Sequence, residues 1–166
     1  MQVKINKLID TINKEVLCMQ NFMTLLTEEQ EFLVKGDIKS LQKSVGEQER
    51  TILEAEKLER ERIRQTDEVA LTLKLKKDEV NLSKLVQLVE ESYSVQIKEL
   101  QRTLVHLYEK VERQRRKNEF LIRQSMGMVD RNMKFILGVE DSKPTYTKPN
   151  GKTAVAHPRK MVDRLS

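Results

Sequence analysis

The chain has 166 residues, of which 38% are hydrophobic, 34% charged and 4% aromatic, with no Trp. That balance excludes a thick globular core and suits long helices that pair through narrow apolar stripes. The net charge of +5 is the small excess of 31 basic over 26 acidic side chains mixed along the chain, the pattern of solvated helix flanks.

The single cysteine, Cys18, has no partner for an intramolecular disulfide, and MQVKINKLID lacks the apolar run of a signal peptide. No window approaches the roughly 18 to 20 apolar residues of a membrane span. A soluble, cytoplasmic, all-α protein with no membrane insertion is expected.

In the first segment Ile9, Ile12, Val16, Met19, Met23, Leu26 and Leu33 recur at alternating spacings of three and four, interrupted at Gln30, which predicts a coiled-coil seam. Gly36 and Asp37 supply a helix stop and a new N-cap, so a tight helical hairpin follows. The second helix carries Ile38, Leu41, Val45, Ile52 and Ala55, and its seam weakens where Leu58 and Ile63 fall out of register. The Glu- and Arg-rich text EQERTILEAEKLERERIR keeps this part helical through propensity and neighbouring opposite charges. Val69, Leu71, Leu73 and Leu75 then alternate strictly, which fits either a strand or a frayed helix end leading into a connector; with no ladder partner elsewhere, the second is preferred. Asn81 or Ser83 is placed to cap a short helix through Leu82, Leu85, Val86 and Val89.

The longest helix is predicted from about Ser94 to Leu137, where Leu100, Leu104, Leu107 and Val111 continue as Gln114, Asn118 and Leu121. At 1.5 Å per residue it extends about 65 Å, and the first helix about 50 Å, so a rod results. Beyond Gly138 the three prolines and the polar text predict a disordered tail with a KPNG turn at Lys148–Gly151 and one apolar edge at Met161, Val162 and Leu165. The expected architecture is an elongated antiparallel bundle or coiled coil over residues 1–138, with helices near 2–34, 38–70, 82–91 and 94–137, and a flexible tail over 139–166.

The groups that catalysis needs are missing from the sequence. It has no Gly-rich phosphate loop, and His106 and His157 stand far apart with no cysteine or carboxylate at ligand spacing. Cys18 beside Met19 reads as a small seam residue. No catalytic, cofactor or metal site is expected, and the protein is read as a non-enzyme.

After Asn118 the last helix carries two apolar rows in place of one. Ile122, Met126, Val129, Met133 and Ile136 form an unbroken alternating series, and Leu121, Met128 and Phe135 recur every seven residues along its edge. A four-residue step from Asn118 to Ile122 either moves the internal seam or leaves a wide, methionine-rich face for a partner's amphipathic helix. Just upstream, Arg113, Arg115, Arg116 and Lys117 form a basic cluster. No aromatic platform or base-reading motif accompanies it, so no nucleic-acid partner is expected.

Several segments together resemble the FlgN-type flagellar export chaperones. LLTEEQEFLVKGDIKSLQKSVGEQERTILEAEKLERER, from Leu25 to Arg62, is similar to the family's hairpin, with acidic text before a Gly-Asp turn and a Lys/Glu-rich second helix. NEFLIRQSMGMVDRNMKFILG, from Asn118 to Gly138, resembles its C-terminal helix, and TYTKPNGK its Tyr-containing tail. The resemblance implies a chaperone that holds the hook-filament junction proteins FlgK and FlgL, by their C-terminal amphipathic segments, before type III export. The wide face would be the client site and Tyr146 the contact with the export machinery. A monomer or weak dimer is then expected. The alternative from another class is a coiled-coil structural or secretion-stalk protein that self-associates through the same seams.

Overall fold

The computed structural model describes residues 1–75 and 80–137. Among these residues it contains four helices and no strand: α1 (Gln2–Lys35), α2 (Ile38–Thr72), α3 (Leu82–Leu88) and α4 (Glu91–Leu137). At 1.5 Å per residue α4 is about 70 Å long and α1 about 50 Å, so the helices make a slender bundle.

α1 is the central element, packed against both α2 and α4, whose backbones stay apart from each other. That double duty explains why its buried set is wider than one seam: Ile5, Leu8, Phe22 and Leu25 join Ile9, Ile12, Val16, Met19 and Leu26. Cross-helix bonds fix the directions. Lys4 meets Thr72, Glu15 meets Arg62, Cys18 meets Thr51 and Leu25 meets Ser44, so α1 and α2 are antiparallel. Ile9 and Leu100 line one groove and Asn118 bonds Leu26, so α4 runs in the same direction as α1. Consecutive long helices therefore alternate in direction.

The hairpin turn is closed by local chemistry. Gly36 takes the left-handed conformation at φ 67°, where a Cβ is disfavoured, and the Asp37 amide donates to the Phe32 carbonyl at 3.0 Å. Asp37 Oδ1 then accepts the Ser40 amide at 3.1 Å and caps α2. The alternating stretch after Val69 is a helix end. α2 continues to Thr72, Lys74 turns left-handed at φ 60°, and the Leu75 amide donates back to the Ala70 carbonyl. Asn81 caps α3 through the Lys84 amide, and Leu82 and Leu85 seal this end of the core.

α2 departs from the seam read in its sequence. Ile38 and Val45 are exposed and Ile52 and Ala55 only partly buried, while Ser44, Thr51, Glu59, Arg62, Gln65 and Thr66 lie inside. Some of these buried polar groups find partners across the interface, others within α2, and Gln65 Oε1 finds none. Ser44 Oγ donates to the Leu25 carbonyl and Cys18 Sγ to the Thr51 carbonyl, both at 3.5 Å.

Candidate functional site

α4 is held to the bundle by Ile97, Leu104, Leu107, Tyr108 and Val111, and then by two polar residues, Gln114 and Asn118. Asn118 Nδ2 donates to the Leu26 carbonyl and to Glu29 Oε2, each at 2.7 Å. Gln114 Nε2 donates to Asn118 Oδ1 at 3.0 Å and also to Gln30 Oε1. A buried amide fixes relative position more tightly than an apolar contact, because any slip leaves its donors unpaired. This network holds the last buried residues of α4. With Leu26 opposite Asn118, the last residue of α1, Lys35, falls near residue 127, and roughly ten further residues of α4, about 15 Å, have no helix of α1 beside them.

The apolar rows begin beside the last turns of α1 and run onto this projecting part, where Met128, Val129, Met133, Phe135 and Ile136 lie beyond residue 127. Ile122, Met126, Met128, Val129, Met133, Phe135 and Ile136 are all exposed, up to 89% at Phe135, and only Leu121 is half-buried. A seam moved inward by the four-residue step would have buried the Ile122 row; it is open instead. At 100° per residue the two rows together occupy about 180° of the helix, and Glu119, Arg123, Asp130, Arg131 and Lys134 all fall in the other half. The Ile122 row shares the direction of the buried face below Asn118, so it is the bundle-facing side of α4 carried past its partner, and the Leu121 row lies along its edge.

Other candidates resolve simply. His106 is exposed on α4. Cys18 is buried, and burial, with Glu54 and Glu15 nearby, pushes its thiol up to about 11. In the basic cluster Glu112 pairs with Arg116 at 3.0 Å and Arg115 at 3.9 Å, while Arg113 and Lys117 are exposed. Among the described residues no three His, Cys, Asp or Glu side chains group as metal ligands, and no helix is long and apolar enough to cross a membrane. Tyr146, His157, the KPNG turn and the rest of 138–166 lie outside the described residues.

Two features escaped the sequence reading. The buried Glu15–Arg62 pair joins residues 47 apart and carried no visible signal. The Gln30–Gln114–Asn118 network did carry one, since these residues are the polar interruptions of two otherwise apolar seams and answer one another in space.

No curated protein and no solved structure matches the chain at a significant level. The family model described as FlgN protein matches residues 1–154, spanning all four helices. Coverage of that extent, on a helical bundle that ends in an uncovered apolar strip, decides the family, and the chain belongs to the FlgN family.

Proposed function

We propose that this flagellar export chaperone holds the C-terminal helical segments of the hook-filament junction proteins FlgK and FlgL in the cytoplasm before export. The observation that carries this reading is the open apolar strip on the last part of α4, displayed at a fixed position by the Asn118 network. An amphipathic client segment laid along Ile122, Met126, Val129, Met133 and Ile136 would cover apolar surface on both partners and keep the client from aggregating. Methionines adapt to differing side chains, which suits a site that receives more than one client. No reaction is involved, and burial of apolar surface supplies binding free energy. Tyr146, in the tail beyond α4, is assigned to contact with the export machinery.

Co-purification with FlgK and FlgL, full-length and lacking their C-terminal segments, tests the reading. Capture that disappears on truncation supports it, and capture that survives truncation overturns the proposed mode. Sedimentation without client separates it from a self-associating stalk protein, for which a stable oligomer is expected.

A further inference from the structure

The strip is wider than one helix needs. Inside the bundle the buried positions of α4 span about 120° around the helix, a face covered by α1 and, near its start, by α3. Past Asn118 the uncharged sector broadens to about 180°, because the Leu121, Met128, Phe135 row adds to the Ile122 row. A single helix seated on the Ile122 row leaves Met128 and Phe135 in water, at 60% and 89% exposure in the free protein. Only Ser125 and Asn132, both uncharged, lie between the rows. A contact face of this breadth is what a helix presents when it has two neighbours.

The charge around the strip bears on who those neighbours are. Residues 113–134 contain seven basic and two acidic side chains, a net +5, equal to the net charge of the whole chain. Two copies of the protein docked strip to strip would bring these excesses together, so a second copy is opposed by repulsion, and acidic-flanked helices are favoured.

We propose that the strip seats two amphipathic, acidic-flanked helices of the client side by side, one on each row, so that client and α4 form a three-helix bundle continuing the protein's own. This rests on the client-binding reading above. The test uses the full chain with a C-terminal client segment of FlgK or FlgL, and two double variants, Met126→Lys with Met133→Lys and Met128→Lys with Phe135→Lys. All four residues are exposed, so helicity should be unchanged; Gln substitutions at the same positions provide a milder second pair. The expected result is at least tenfold weaker binding from either double variant, with hydrogen exchange protecting two separate client segments. Binding within twofold of wild type for the Met128/Phe135 variant, with one protected segment, overturns the two-helix arrangement and leaves the chaperone reading standing. Absence of any capture by the wild-type chain overturns both. A wild-type dimer that either double variant dissociates also overturns the proposal, since a second copy would then be the occupant.

Discussion

Arg62 Nε donates to both carboxylate oxygens of Glu15, at 2.9 and 3.2 Å, with the two side chains only 3% and 2% exposed. The pair ties α2 to α1 far from the turn that joins them, and Tyr108 of α4 is close enough to feel both charges. Leaving either member alone inside the bundle strands a charge in a poorly solvating place. Arg62→Ala should therefore cost about 3 to 5 kcal/mol, whereas Glu15→Leu with Arg62→Met should be far milder, within about 1 kcal/mol of wild type or better. Urea denaturation of the two variants checks this, and equal losses in both would contradict it.

The hairpin turn makes a smaller, local contribution. Asp37→Ala removes the acceptor for the Ser40 amide and should cost about 1 kcal/mol. Gly36→Ala meets no neighbouring atom but places a Cβ on a left-handed residue, costing about 1 to 2 kcal/mol. Thermal unfolding of each, with retention of the helical spectrum, is the measurement.

Acid should weaken the bundle through Glu61. Hydrogen bonds from Arg64, then Gln65, hold its carboxyl at about 2, against an ordinary 4.5. The folded state thus releases this proton more readily than the unfolded one, so its stabilisation is full above pH 4.5 and is lost as pH falls toward 2. Glu15 works oppositely, because burial outweighs Arg62 and raises its carboxyl, so its contribution declines as pH rises past 4.5. Glu61→Gln should flatten the acid limb of stability against pH, most visibly at low salt because Glu61 faces solvent.

Cys18 should be a silent thiol until the bundle opens. Its Sγ donates to the Thr51 carbonyl, and burial holds the thiol at about 11. At pH 8 a thiol-specific reagent should label the folded chain slowly and the chain in denaturant at once. Fast labelling of the folded protein would show α1 and α2 separating readily.

The fold was largely legible because α1 and α4 obey one period and Gly36–Asp37 is a strong stop-start signal. α2 was harder to read. Its inward face includes Ser44, Thr51, Glu59, Arg62 and Gln65, polar residues of which Ser44, Thr51 and Arg62 find partners in α1, and a search for apolar periodicity in one helix does not reveal those partners. The alternation after Val69 mimicked a strand because three apolar residues beside a helix end need not be buried together; Leu71 is exposed. For the site, the sequence displayed both apolar rows but not whether they were covered. That depends on where α1 stops alongside α4, a matter of three-dimensional register set by Asn118.

The central claim is that the strip on α4 serves a foreign helix and not the protein's own core. Its most direct test is client capture together with circular dichroism for Met126→Lys with Met133→Lys, residues 67% and 55% exposed. The account predicts helicity and melting temperature close to wild type, with client binding at least tenfold weaker. Collapse of the helical signal, or client binding at wild-type strength, would contradict it.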